Sequence, residues 1–391
     1  MSLFFLVFLL VYGSMQAYVF FSLIRAWKLK FRGRLILGIW LGLMTPGPVI
    51  VRGLDNLGYF DLAEALAIVL YGWMAVSFWL VVGFGVFDIY NAVLWLGGLA
   101  RKQIRQAMAP PKLRAWTVTP LVVLATAVGF WEARHPVVRH VRIETPHIPA
   151  GRSEVRIVQI SDMHLGLHMG PAQLRRVVDE IHQLRPDVLV STGDLVDSMM
   201  HRLNGLSGPL AEIDAPLGKF AVLGNHEYYV GLETSETFHD QAGMKLLRQS
   251  WVEPVEGLVI AGVDDPAGQD RGGGESRMDE RALLVDVPAE RFVLFLKHRP
   301  TVEDASAERF DLQLSGHTHG GQFWPWHYIT MVQYPYISGL YDLGARGRIY
   351  TNPGTGTWGP PIRLLARPEI TVITLVRPSG DSEGQPVAAG E

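Results

Sequence analysis

Long apolar runs fill the first third of the chain, whereas short apolar runs alternate with polar segments in the rest. Residues 2–24 carry no charge and are long enough to cross the hydrocarbon of a bilayer at ~1.5 Å per residue. Further apolar runs follow at 35–51, 63–87 and 116–133. The pattern predicts an all-α bundle of about four transmembrane helices within residues 1–134. A cleaved signal peptide is disfavoured, because the first run lacks the basic segment that should precede it.

Basic residues are concentrated in two of the loops that join these runs. They are Arg25, Lys28, Lys30, Arg32 and Arg34 in the first loop, and Arg101, Lys102, Arg105, Lys112 and Arg114 in the third. Cytoplasmic loops carry the excess of lysine and arginine, so both loops are expected in the cytoplasm. Everything after the fourth run is then extracytoplasmic. We interpret 87–99 as an extension of the third helix; a further crossing there would reverse this orientation.

The rest of the chain alternates short apolar runs with segments of helical spacing. Residues 171–184 are an example of the helical spacing, and the runs at 155–160 and 188–191 are examples of buried strands. This alternation is typical of a layered α/β architecture, which we place at residues 140–377. The tail at 378–391 is rich in Gly, Ser, Pro and Glu and is expected to be disordered.

Several of the short apolar runs end in side chains that can bind a metal. These side chains are Asp162, His164, Asp194, Asn225, His226, His298, His317 and His319. One histidine at a strand end is more often structural than a ligand. A series of such ends is what a sheet with a metal site along one edge would show, since loops on a rigid scaffold carry function. Nitrogen and oxygen donors together suit Mn, Fe or Zn better than an all-oxygen Mg site.

Composition narrows the class of protein further. The chain has 391 residues, 48% of them hydrophobic, and a mean hydropathy of +0.17, which favours a membrane part beside a folded domain. The formal net charge of −3 predicts no general affinity for nucleic acid. The chain has no cysteine, which excludes disulfides and thiolate metal ligands.

The order of these motifs resembles the calcineurin-like metallophosphoesterase family. The resemblance rests on D-x-H at Asp162 and His164, G-D at 193–194, G-N-H-E at 224–227, the lone His298, and G-H-x-H at 316–319. The ending G-H-T-H-G-G-Q and the later R-P-E-I-T-V-I-T-L at 367–375 are similar to the membrane-associated branch of that family. The resemblance implies a four-layer β-sandwich flanked by helices.

The resemblance also implies a dinuclear metal centre. One cation would take Asp162, His164, Asp194 and His319, and the other would take Asp194, Asn225, His298 and His317, with Asp194 bridging the two. His226 would stay off the metals and protonate the leaving oxygen or stabilise the phosphoryl charge, unless it is merely structural. Glu227 is expected to orient His226, with Asp197 as a second candidate for that role.

We therefore expect a membrane-anchored phosphoesterase that hydrolyses a phosphodiester or pyrophosphate bond with metal-activated water. Its substrate would be a phosphorylated small molecule or lipid. One alternative is a UDP-2,3-diacylglucosamine-type pyrophosphatase of lipid A synthesis, which requires a cytoplasm-facing site and so the opposite orientation. A second is a non-catalytic metal-dependent binding protein, which the intact ligand positions disfavour. A transporter or channel is disfavoured by the few polar residues in the apolar runs.

Overall fold

The structure is a computed structural model that describes residues 3–148, 151–167, 169–270, 279–288, 290–304, 306–344 and 347–378. By its internal contacts the chain divides into two units. The first comprises Met1–Ala133 and Trp358–Leu364, and the second comprises Arg134–Thr357 and Leu365–Glu391. The predicted disordered tail lies outside the described residues except for Pro378.

The first unit is helical. Its helices are α1 (Leu3–Trp27), α2 (Phe31–Met44), α3 (Gly47–Asn56), α4 (Phe60–Ala100) and α5 (Pro111–Glu132), with a 3₁₀ turn at Lys102–Ala107. Among the described residues, α1, α4 and α5 are each long and apolar enough to cross a membrane. The pair α2 and α3, bent by 46° at a break, makes a fourth candidate if it counts as one span. The prediction of an N-terminal helical region with apolar candidate spans is confirmed.

Two features of the sequence explain this unit. The break between α2 and α3 falls where Pro46 and Pro48 interrupt the apolar run, because proline cannot donate a helical hydrogen bond. The residues at 87–99 continue α4 without a break, so this helix has 41 residues. Asp88 on α4 accepts hydrogen bonds from Tyr18 on α1 and Arg114 on α5, which ties three helices together.

The second unit is built on two mixed six-stranded sheets. The first sheet has the order β1 (Val137–Glu144), β12 (Glu369–Val376), β2 (Glu154–Ile160), β3 (Val188–Ser191), β4 (Lys219–Ala221) and β5 (Lys245–Leu246). The second has the order β10 (Gly339–Asp342), β11 (Arg348–Thr351), β9 (Leu312–Ser315), β8 (Phe292–Leu296), β7 (Leu258–Gly262) and β6 (Ser250–Val255). The described helices are α6 (Pro171–Leu184), α7 (Met200–Leu203), α8 (Ser207–Ala211), α9 (Asn225–Val230), α10 (Leu232–Gln241), α11 (Ala267–Asp270), α12 (Glu280–Val285) and α13 (His327–Gln333).

The two sheets pack face to face, with helices on their outer faces. Ile157 and Val190 of the first sheet share a buried apolar cluster with Leu294 of the second. The next residue along β2, Val158, points to the opposite face, where it joins a cluster with Leu174 on α6. This alternation follows from the two-residue period of a strand. The predicted α/β sandwich flanked by helices is confirmed.

The strands that precede the candidate metal ligands end in register. Strands β2, β3 and β4 are parallel neighbours in the first sheet, with Ile160 opposite Ser191 and Ser191 opposite Ala221. In the second sheet β8 and β9 are also parallel, with Leu296 opposite Leu314. The loops that leave the carboxyl ends of each set of parallel strands therefore start at one edge of its sheet.

Candidate metal centre

The loops that leave these strand ends hold several candidate ligands in a left-handed backbone conformation. Asp162 and His164 have a φ of 49°, Asp194 has 51°, His317 has 69° and His319 has 52°. Non-glycine residues rarely adopt such angles, and each instance costs about 1–3 kcal/mol that the surrounding structure must offset. Five of the candidate ligands share this conformation, which also occurs outside the site, for example at Arg185 and Gln249.

Two glycines allow the loops to approach one another closely. A Cβ on Gly193 would lie 2.7 Å from the backbone nitrogen of Gly224 and 2.7 Å from Nδ1 of His298. A Cβ on Gly316 would lie 2.2 Å from Oδ2 of Asp162. Any larger residue at these positions would push the loops apart, which explains the glycines before Asp194 and His317.

The first group of donors comes from both sheets. Nε2 of His164 lies 3.1 Å from Nε2 of His319, and Nε2 of His319 lies 3.5 Å from Oδ1 of Asp162. The backbone N–H of His317 donates to both oxygens of Asp162, at 3.0 Å each, and so fixes that carboxylate. Donor atoms of Asp162, His164 and His319 all lie within 4.8 Å of one another.

The second group surrounds Nε2 of His298. This nitrogen lies 3.2 Å from Oδ2 of Asp194, 3.3 Å from Oδ1 of Asn225 and 3.1 Å from Nδ1 of His317. Nδ1 of His298 lies 2.8 Å from the carbonyl of Thr192, to which it can donate. In the neutral ring that a metal ligand requires, this contact places the lone pair on Nε2, directed into the group.

Asp194 lies between the two groups. Its Oδ2 is 3.2 Å from His298 and 3.9 Å from Nε2 of His164. Its Oδ1 accepts a hydrogen bond of 2.8 Å from the backbone N–H of His226, at the start of α9. One oxygen is thus held by the backbone while the other faces donors of both groups, which is the position expected of a bridging carboxylate.

The charges in this site depend strongly on one another. Burial opposes the charged form of His298, but Asp194 and Asp162 outweigh it and raise the pKa of His298 to about 10. Burial also opposes the charged form of Asp194, but His298 and His226 hold its pKa well below the usual range. Burial is the main reason why the pKa of His164 falls to about 3. The carboxylates therefore favour positive charge close to them, whereas burial favours the neutral ring of His164, which has a lone pair for a metal.

These donors fit a pair of divalent cations. Both groups mix imidazole nitrogen with carboxylate or amide oxygen, and every member is buried except the half-buried His317. Two imidazole nitrogens 3.1 Å apart, as in His164 and His319, need a shared proton or a cation between them. The structure thus brings together all the residues predicted as ligands, from five loops that are far apart in sequence.

His226 lies beside the groups and has a carboxylate partner. Its Nδ1 is 2.9 Å from Oδ1 of Asp197, and its ring packs edge-on against that of His164 at 4.6 Å between centroids. Burial opposes its charged form, but Asp194 and Asp197 outweigh burial and raise the pKa of His226 to about 9. The ring is thus held by a carboxylate that also favours its charged form.

The structure changes the role that the sequence suggested for Glu227. Its carboxylate accepts hydrogen bonds from the backbone N–H groups of Asp194, Leu195, Val196 and Gly224, at 2.7–3.2 Å. Glu227 thus joins two metal-ligand loops through their backbones, whereas the carboxylate that contacts the ring of His226 is Asp197. The G-N-H-E motif places a carboxylate at this position, but it does not show that the carboxylate binds backbone N–H groups.

Two contacts in the site carry no signal in the sequence. The hydroxyl of Tyr334 lies 3.0 Å from Nε2 of His317, on the side of the ring away from His298. Arg299, next to His298, donates from two nitrogens to the carboxylate of Asp265, at 2.7 and 2.8 Å, so its charge is paired. A lone tyrosine after an apolar stretch gives no indication that it will reach back to a ligand.

Comparisons with known proteins show the family of the chain. The family model for the calcineurin-like phosphoesterases matches residues 155–321. An uncharacterised metallophosphoesterase of Aquifex aeolicus is 41% identical over 256 residues, which are 65% of this chain and 97% of that protein. The chain belongs to the calcineurin-like metallophosphoesterase family. This places it among the hydrolases that act on phosphoric ester bonds.

Two further relatives and a solved structure also match the chain. A transmembrane protein with metallophosphoesterase domain from Danio rerio is 31% identical over 293 residues, 70% of this chain and 65% of that protein. A metallophosphoesterase of Campylobacter jejuni is 34% identical over 61% of this chain and 63% of its own length. Among solved structures, a dimetal phosphatase from Danio rerio matches with a TM-score of 0.32 and 14% identity, over 53% of this chain and 88% of that one.

Proposed function

We propose that this chain is a membrane-anchored phosphoesterase that uses two divalent cations to hydrolyse a phosphodiester or pyrophosphate bond. The observation that carries the proposal is Asp194, whose Oδ2 faces the donor groups around His164 and His298 at once. Asp162, His164, Asp194 and His319 would hold one cation, and Asp194, Asn225, His298 and His317 the other. The mixed donors favour Mn, Fe or Zn.

The bound cations would supply the charge that activates water and neutralises the phosphoryl oxygens. The chain's own residues would do the rest. Oδ2 of Asp194 would hold both cations, while the backbone N–H of His226 holds Oδ1 in place. His226, kept protonated by Asp197, would donate its proton to the leaving oxygen, whose alkoxide is otherwise a poor leaving group.

The anchor would be the four apolar candidates of the first unit, with the second unit on the extracytoplasmic side. The bent pair of α2 and α3 can be arranged in two ways, as one broken span or as a re-entrant loop. A re-entrant loop would put the basic loops at 25–34 and 101–114 on opposite sides of the membrane. One broken span keeps both on the same side, as the distribution of lysine and arginine requires.

Substituting Asp194 tests the proposal. Asp194→Asn keeps the size of the side chain but removes the charge that offsets two close cations, so bound Mn and hydrolysis of bis(4-nitrophenyl) phosphate should both be lost. Asp214→Asn, at an exposed aspartate of the same unit, is the matched control. Circular dichroism should show both variants folded. Wild-type turnover with two cations bound in Asp194→Asn would refute the bridging assignment.

A further inference from the structure

A long stretch of the second unit is both exposed and uncharged. Between Asp311 and Asp342 the sequence has no Asp, Glu, Lys or Arg. We call residues 323–341, within this stretch, the apolar segment. It includes α13, none of whose residues is buried. Its exposed large apolar side chains are Trp324, Trp326, Tyr328, Ile329, Met331, Val332 and Leu340, with Val332 88% exposed. Single exposed apolar residues are normal on a soluble protein, but a contiguous group of them marks an interaction surface.

The apolar segment is attached to the metal-ligand loop at both ends. It begins four residues after His319, and its far part returns to the same loop. There the Tyr334 hydroxyl meets Nε2 of His317 at 3.0 Å, and Oγ1 of Thr318 donates to the carbonyl of Ile337 at 2.6 Å. Whatever the segment binds is therefore held at a fixed position relative to the candidate metal centre.

The composition of the segment indicates what it binds. Tryptophan and tyrosine combine an apolar ring with a polar edge and are enriched where proteins meet the membrane–water interface. A partner protein would more commonly be met by an apolar patch with a polar rim. The segment itself has no Asp, Glu, Lys or Arg, and among its described residues Arg299 reaches only the buried Tyr334.

The covalent path of the chain brings a bilayer within reach of this unit. The chain passes between the second unit and the helical unit at three points, after Ala133, after Thr357 and after Leu364. If the helical unit is anchored as proposed above, the second unit is always tethered to a membrane. An exposed apolar segment on such a unit meets lipid at far higher local concentration than any dissolved partner.

We propose that the apolar segment inserts into the bilayer interface and that the metal centre beside it acts on phosphate esters of membrane amphiphiles. The inference about substrate rests on the proposed phosphoesterase function, whereas the inference about insertion does not. An amphiphile would keep its acyl chains in the bilayer and present its phosphate at the surface that the segment touches.

The absence of cysteine allows a direct test of insertion in the full-length chain. Val332→Cys would be labelled with an environment-sensitive fluorophore in vesicles of phosphatidylcholine and phosphatidylglycerol. Val285→Cys is the matched control, because Val285 on α12 is another exposed valine of the same unit, at 51%. Nitroxide-bearing lipid should quench the label at Val332, and aqueous iodide should quench the label at Val285.

Two outcomes would overturn insertion. If iodide quenches the two labels equally, the segment faces water. If the Val332 label is shielded from iodide and also from nitroxide lipid, a second copy of the chain or another protein covers it.

Two glutamate substitutions in the apolar segment test the inference about substrate. Ile329→Glu with Val332→Glu should lower hydrolysis of a diacylglycerol nitrophenyl phosphodiester in the same vesicles by about tenfold or more, because glutamate opposes burial at the interface. Hydrolysis of dissolved bis(4-nitrophenyl) phosphate should stay within about twofold of wild type, as it should for Val285→Glu on both probes. Unchanged hydrolysis of the lipid probe would overturn the substrate class. If the wild-type chain hydrolyses neither probe, the phosphoesterase function is refuted instead. The quenching pattern would still decide whether the segment inserts.

Discussion

Oδ1 of Asp197 lies 2.9 Å from Nδ1 of His226, so the imidazole beside the candidate metal centre carries its own carboxylate. The contact fixes the ring and keeps one proton on Nδ1, so in the proposed mechanism the proton given to the leaving oxygen is the one on Nε2. It also assigns separate tasks to two acids close in the fold, since Glu227 binds backbone N–H groups. The first two predictions follow from this pair.

His226→Ala should lower turnover while the metal content stays unchanged. A general acid contributes about 10²–10⁴-fold, so the loss should be of that size for a substrate with an alkyl alcohol as leaving group. It should be much smaller for nitrophenolate, which leaves without a proton. Steady-state kinetics on the two substrates, with metal analysis on each preparation, makes the comparison.

An equal loss on both substrates would assign His226 to stabilising phosphoryl charge. A loss of bound metal would make it a ligand.

Asp197→Asn should lower turnover less than His226→Ala, because asparagine keeps a hydrogen bond to Nδ1 but removes the charge. Since the two residues act as a unit, the double variant should be no slower than His226→Ala alone. A double-variant cycle on kcat measures this directly, with Asp214→Asn as the exposed control. Strictly additive losses would show that Asp197 acts independently of His226.

The orientation in the membrane can be read by cysteine labelling. Glu308→Cys lies at an exposed position of the second unit, and Gln103→Cys lies at an exposed position in the third loop. With the proposed topology, an impermeant thiol reagent on intact cells labels Glu308→Cys, and Gln103→Cys reacts only after permeabilisation. The reverse pattern would put the metal centre in the cytoplasm and favour the UDP-2,3-diacylglucosamine-type pyrophosphatase.

The buried His239 predicts that stability falls in mild acid. Its Nδ1 contacts the carbonyl of Ser235 at 2.7 Å, and its buried Nε2 has no hydrogen-bond partner among the described residues. Burial lowers the pKa of His239 to about 4. The unfolded chain takes up this proton below about pH 6.5, so the stability that a neutral His239 gives above that pH is lost as the pH falls to about 4.

The expected slope from this residue is about 1.4 kcal/mol per pH unit within that window. Thermal unfolding of the full-length chain in detergent at a series of pH values measures it. His239→Gln should flatten the dependence, whereas His182→Gln, at an exposed position on α6, should not. Equal slopes in all three proteins would show that His239 is already protonated in the folded state.

The sequence predicts most of the site because each ligand follows a short apolar run, and such runs become buried strands whatever their partners. Asp162, Asp194 and His298 could therefore be assigned to the edge of a sheet before any strand order was known. The role of Glu227 could not, because its partners are backbone N–H groups and these leave no trace in side-chain identity. Tyr334 was missed for a related reason, since only the path of residues 323–333 returns it to His317.

The membrane helices show the same limit. Apolar content locates α1, α4 and α5, but it does not tell where a helix stops inside a long apolar stretch. The predicted third span ends at 87 with 87–99 as an extension of the same helix. The structure confirms the extension, since α4 continues to Ala100 and Asp88 and Asn91 find partners on neighbouring elements. Polar residues ended the predicted run, yet hydrogen bonding makes them acceptable within the helix.

The four hydrogen bonds that Glu227 accepts have a consequence for metal exchange. They join the loop of Asp194 to the loop of Asn225 through peptide groups, without using any side chain that would bind a cation. The two ligand loops are thus held together without a bound cation. This differs from a zinc finger, in which metal binding and folding are one event. Chelation should therefore yield a folded enzyme that can be recharged with one metal after another, so that the preference among Mn, Fe and Zn becomes a measurable property of a single protein sample.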